Sequence, residues 1–152
     1  MTKSVTKEKI ILFDTTLRDG QQTQGVDFSV QDKTNIAQAL DDIGIDYIEG
    51  GWPGANPTDT KFFEKNNHFQ NAKFTAFGMT KRAGRSADND PQLRALIDSN
   101  SDSVCLVAKT WDFHVDLALG ISLDENIDAI KDSIRSVKSG DKEAMIDCEH
   151  FF

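Results

Sequence analysis

Several things that define other protein classes are scarce in this 152-residue sequence. Cysteine occurs twice, at Cys105 and Cys148, each inside an apolar run and at no spacing that fits a zinc knuckle or redox pair. That excludes a disulfide framework and leaves a reduced, cytoplasmic protein as the expectation, with both cysteines as small core residues. No apolar run approaches the roughly 20 residues that cross a bilayer. Met1 to Lys9 is polar and basic without an apolar stretch, so neither a membrane span nor a secretory signal is expected. Lys and Arg number 17 against 25 Asp and Glu, a net charge of −8, which argues against nucleic acid as a partner because phosphate contacts need surplus cations. Histidine occurs only three times, and no two are spaced His-x-His.

What is present is enough for one domain. Hydrophobic residues make up 38% and glycines number ten, near the globular norm, and no linker or low-complexity tract divides the chain. Short β-branched runs alternate with helical periodicity. Strands are expected at Ile10–Phe13, Ile45–Glu49, Lys73–Phe77, Ser103–Ala108 and Ala144–Cys148. Ser29 and Asp32 form a capping box that opens a helix with Ile36, Leu40 and Ile43 on one face, closed by Gly44. A second helix runs from about Thr58 to Asn66 and buries Phe62 and Phe63. Asp90-Pro91 caps a third, with Leu93, Leu96 and Ile97 inward. Ser122 and Glu125 cap a fourth, whose apolar stripe of Leu123, Ile127, Ile130, Ile134 and Val137 belongs to the core and stops at Gly140.

Strands joined by crossover helices are parallel, and apolar strands are covered on both faces. Two α/β architectures fit: a doubly wound open sheet, or part of a (β/α)8 barrel. The first βα loop, Arg18 to Gly25, is polar and charged rather than glycine-rich, which disfavours a dinucleotide fold. Both architectures gather their chemistry at the carboxyl ends of the strands. Those ends carry Asp14, Arg18, Asp19 and Gln22; Glu49 and Trp52; Met79 and Thr80; Lys109, Trp111 and His114; and Asp147, Glu149 and His150. Carboxylates with one arginine and one lysine suit an anionic substrate and a divalent metal.

At this point the residues resemble a known family. Phe13-Asp-Thr-Thr-Leu-Arg-Asp-Gly-Gln-Gln22, with Lys33 downstream, is similar to the first signature of the 2-isopropylmalate, homocitrate and citramalate synthases. The segment Tyr47–Asp59, with Phe62-Phe63, resembles the citramalate branch in particular, as do Phe77–Gly84, Lys109–Val115 and Asp147–Phe152. The resemblance implies a TIM barrel enzyme that condenses acetyl-CoA with a 2-keto acid, pyruvate in this branch, by Claisen chemistry. It also implies a divalent metal (Mg, Mn or Zn), small-molecule substrates and a homodimeric full-length enzyme. Residue by residue, Asp19 would be a metal ligand and Arg18 would stabilise charge on the carbonyl oxygens. Glu149 would be the base or base-assisting group, with a pKa raised by enclosure. Gln22 and Glu49 would bind and orient substrate. A 2-isopropylmalate or homocitrate synthase, or a catalytically silent half-barrel acting through a partner chain, are the alternatives.

Around this core of roles, Trp52 and Trp111 are expected to pack under loops, and Lys81, Arg82 and Arg85 to be solvated. His150, adjacent to Glu149, should point to the opposite side of its strand and play a structural part, His114 to sit in a loop or at a helix start, and His68 to be solvated. The family's His-x-His metal pair is missing, and a barrel of about 250 residues needs eight βα units. The expectation is therefore an incomplete (β/α)8 barrel of five parallel strands and four helices over residues 10–152 after a polar tail at 1–9, inactive by itself.

Overall fold

The computed structural model describes residues 9–65 and 67–152, so most of the tail, and the end of the second helix at Asn66, lie outside the described residues. Five parallel strands form one curled sheet in the order β1-β2-β3-β4-β5, an incomplete barrel. They are β1 (Phe13–Asp14), β2 (Tyr47–Gly51), β3 (Lys73–Met79), β4 (Ser103–Lys109) and β5 (Glu143–Glu149). Between them lie α1 (Val30–Asp42), α2 (Pro57–Glu64), α3 (Pro91–Ile97), the single turn α4 (Asp112–His114) and α5 (Leu123–Ser139). The extra helix, α4, runs on into a π-turn at Val115–Leu119 inside the segment expected as a loop. No described helix is long and apolar enough to cross a membrane.

The caps form as the sequence dictates. Ser29 with Asp32, and Ser122 with Glu125, both close reciprocal capping boxes. Asn56 caps α2, and the Asp90 side chain accepts from Gln92 N and Leu93 N ahead of Pro91. The core lies between sheet and helices, where Ile48, Phe74, Ala76, Val104 and Leu106 meet Leu17, Phe62, Phe63, Leu93 and Leu96. Phe63 stacks on Phe74 at 4.4 Å between ring centroids, and Phe62 meets Phe74 edge-on at 5.2 Å.

Four expectations fail, each for a visible reason. The first strand contains only Phe13 and Asp14, and Ile10, Ile11 and Leu12 are exposed rather than buried. On one side Leu12 bonds Asp46 and the start of β2; among the described residues nothing pairs with β1 on the other. Ile43 is 75% exposed because α1 ends at Asp42 and Ile43 caps it. Cys148 is exposed, since α5 leaves the outer face of β5 half open.

The stripe on α5 enters the core only toward the helix's carboxyl end, where Val137 is buried and Ile130 and Ile134 are half-buried. Its buried residues are Asn126, Ala129, Ser133 and Val137, whereas Leu123 and Ile127 are exposed. The inward face is set by polar contacts. Asn126 Nδ2 donates to Lys109 O at 2.9 Å, and Ser133 Oγ accepts from Lys81 N at 2.8 Å. Backbone groups at the ends of β3 and β4 need those partners, and small side chains let the helix approach closely.

Candidate active site

Asp14 ends β1 by folding its carboxylate over Thr16, accepting from Thr16 N at 2.9 Å and Thr16 Oγ1 at 3.1 Å. Thr15 O then collects the N–H groups of Arg18, Asp19 and Gly20, which winds the loop into a tight turn. Leu17 anchors that turn in the core and Arg18 is thrown across the sheet. Arg18 Nε donates to Glu49 Oε2 at 2.7 Å, and Nη1 donates to Asp19 Oδ1 at 3.0 Å. Its guanidinium carbon lies 3.9 Å from the centroid of the Phe77 ring. Three elements thus hold one cation: the β1 loop carries it, β2 bonds it and β3 supports it from below.

Glu49 is almost fully buried, and burial pushes its carboxyl above the ordinary carboxylate range. The hydrogen bond and charge of Arg18 work against that shift, while the negative charges of Asp147 and Asp19 add to it. Cys105, on the same side of the sheet, is pushed up to about 12 by burial and by Glu49 and Asp147. It is a neutral thiol in this setting and no nucleophile.

Glu149 reverses its expectation. It ends β5 opposite Lys109, the terminal residue of β4, and the two form an ion pair. The Lys109 hydrogen bond and charge, with small contributions from His150 and His114, hold the Glu149 carboxyl below its usual range despite some burial. A pKa raised by enclosure belongs to Glu49 instead. Gln22 closes the short turn Gly20–Gln22 on an exposed face, and its side chain has no hydrogen bond to Arg18 or Glu49. The structure therefore brings Arg18, Asp19 and Glu49 together, sets Glu149 on a separate pair, and leaves Gln22 outside.

The metal ligand set does not assemble. The Asp19 side chain is 59% exposed, and among the described residues Arg18 is its one hydrogen-bond partner. Among the described residues no three His, Cys, Asp or Glu side chains come close enough to hold an ion. The residues present do not fit a divalent site. His150 turns back at positive φ and its ring lies 4.7 Å from that of His114, beside Trp111. Trp111 is exposed in this cluster rather than packed under a loop. His68 is exposed, as expected. Lys81 is drawn in rather than solvated: its side chain is 10% exposed and bonds Arg85 O.

Two sets of contacts were not legible in the sequence, although Phe77 and Lys33 both belong to its family-like motifs. Phe77, which supports Arg18, reads as an ordinary core residue until the fold brings the guanidinium over its ring. The second is a buried pair of Lys33 and Asp59 beneath the loop. A lysine in the first turn of an amphipathic helix, followed by the buried position Ala37, was the available signal.

The profile of the HMGL-like family matches residues 9–152. An (R)-citramalate synthase from Streptomyces coelicolor is 49% identical over 144 residues, covering 93% of this chain and 27% of the relative. One from Geobacter sulfurreducens is 50% identical over 143 residues, with 93% and 27% covered. A 2-isopropylmalate synthase from Sulfurisphaera tokodaii is 30% identical over 135 residues, with 89% and 33% covered. The chain thus spans about a quarter of the length of these (R)-citramalate synthases. In structure it resembles a hydroxymethylglutaryl-CoA lyase from Pseudomonas aeruginosa, with a TM-score of 0.69 at 17% identity over 91% of this chain and 45% of that one.

Proposed function

The chain belongs to the HMGL-like family, and from that premise we propose that it is part of an (R)-citramalate synthase. The reaction joins acetyl-CoA to pyruvate and hydrolyses the thioester, giving (R)-citramalate and CoA, an acyl transfer on the way to isoleucine. Residues 10–152 would be the amino-terminal portion of its catalytic barrel. The observation that carries this reading is the gap in identity: 40–50% to five (R)-citramalate synthases against 29–32% to 2-isopropylmalate synthases. A cytoplasmic, homodimeric enzyme that uses a divalent ion follows from the same reading.

Within this chain, Arg18 is the oxyanion and carboxylate binder. Glu49 and Asp19 occupy two of its five N–H donors, and the others remain for the keto acid's oxygens. Glu49 and Phe77 fix the guanidinium before substrate arrives, so little reorganisation is left for the reaction. Glu149 is the proposed base. It would take a proton from the acetyl methyl while the electron pair moves to the thioester oxygen. A base works best with a pKa near the operating pH, and Lys109 opposes that. Proton abstraction by Glu149 therefore needs the Lys109 ammonium to turn from Glu149 to the developing enolate oxygen. Asp19 is proposed as one ligand of a metal whose remaining ligands are not brought together among the described residues.

The test is a chimera in which residues 9–152 replace the matching segment of the S. coelicolor synthase. The expected result is citramalate from pyruvate, with turnover reduced at least 100-fold by Arg18→Ala, the order of an oxyanion donor's contribution. A folded chimera that prefers 2-oxoisovalerate, or that keeps its activity after Arg18→Ala, would overturn the reading.

A further inference from the structure

The Arg18–Glu49 pair is tied down from the far side of the sheet by a residue that touches neither. Lys33, in the first turn of α1, is a fully buried cation. Its Nζ donates to Leu17 O at 2.8 Å, to Gly50 O at 3.0 Å and to Asp59 Oδ1. Leu17 immediately precedes Arg18, and Gly50 immediately follows Glu49. One ammonium therefore spends all three donors holding together the backbone beside both members of the pair.

Asp59 is fixed just as firmly. Its Oδ2 accepts from Trp52 N at 2.8 Å and Asn56 Nδ2 at 2.9 Å. Its carboxylate fills the space beside Gly51, where an added Cβ would come within 2.5 Å and where φ is +141°. Only glycine fits that place. The register of β2 against β3 shifts between Glu49 and Gly51, so the anchor sits where the strand departs from regular pairing. A buried ion pair is a weak device for stability, because hydrophobic replacements are often neutral or better. Its strength is geometric, and here the geometry bears on the site.

We propose that Lys33, held by Asp59, is a positioning residue that sets the Arg18–Glu49 hydrogen bond and so aims the free N–H groups of Arg18 at substrate. The substrate in this statement rests on the reading above; the positioning does not.

The test uses the 15N-labelled 152-residue chain and the Arg18 Nε–H resonance, assigned by its absence in Arg18→Lys. Lys33→Met removes the tie, and Lys33→Met with Asp59→Asn removes both charges while keeping an acceptor for Trp52 N. In the folded variants, solvent exchange of the Arg18 Nε–H should speed up roughly tenfold or more, with amide signals outside the β1 and β2 loops unmoved. A folded variant whose Arg18 Nε–H keeps its shift and exchange rate overturns the proposal. Loss of the fold in both variants overturns it too, since the pair would then hold the fold and not the aim. No substrate enters the measurement, so its failure leaves the chimera result untouched, and the reverse.

Discussion

Glu49 and Glu149 carry the same side chain into opposite electrostatic settings, and the difference can be titrated residue by residue. Lys109 is the first cause of the low Glu149 pKa, so Lys109→Met should raise it toward the ordinary carboxylate range. Carboxyl-carbon NMR across pH 2–7 reads this directly, and an unmoved Glu149 would mean that the ion pair is not what holds it. For Glu49 the sign runs the other way. A carboxyl whose folded pKa lies above its unfolded value of 4.5 binds more protons in the folded state. Its contribution to stability is present below 4.5 and is lost as pH rises through the folded value. Depressed groups such as Asp41 and Asp90 contribute in the opposite sense, with stability lost as pH falls. The readout is therefore a difference: urea midpoints of wild type and Glu49→Gln should diverge across the interval above pH 4.5, wild type falling relative to the variant.

At the level of elements, capping and burial make separate forecasts for α5. Ser122→Ala removes the side chain that accepts from Glu125 N and should cost about 1 kcal/mol. Ile127 lies on the helix's apolar stripe yet is 45% exposed. Ile127→Lys should therefore change stability by no more than about 0.5 kcal/mol, as exposed substitutions do. A loss of several kcal/mol in thermal or urea unfolding would instead place Ile127 in the core. This helix also marks how far sequence reasoning reached. Element order, the caps and the parallel sheet were legible because local chemistry sets them: Ser with Glu, Asp with Pro, apolar runs between turns. The inward face of α5 was not, because Asn126 and Ser133 face inward to serve backbone groups 17 and 52 residues away. The pairing of Lys109 with Glu149 likewise needed strand register, which no single segment contains.

Across the whole molecule, the strand ends bring charged side chains to one rim of the sheet. Arg18, Asp19 and Glu49 meet there, and Lys109 and Glu149 stand ready at the ends of β4 and β5. No cluster of metal-binding side chains joins them among the described residues. The family-like motifs single out these residues in the sequence, but their mutual contacts depend on the curl of the sheet. Gln22 shows the limit, for it shares a motif with Arg18 and faces solvent. The central claim is that these 152 residues hold the substrate-orienting half of the site without the means to complete turnover. The direct measurement is citramalate formation from acetyl-CoA and pyruvate by the purified chain, with Mg²⁺ or Mn²⁺ supplied. No product above the uncatalysed background is expected. Steady turnover that is abolished by Arg18→Ala would contradict the claim and show that the site is complete.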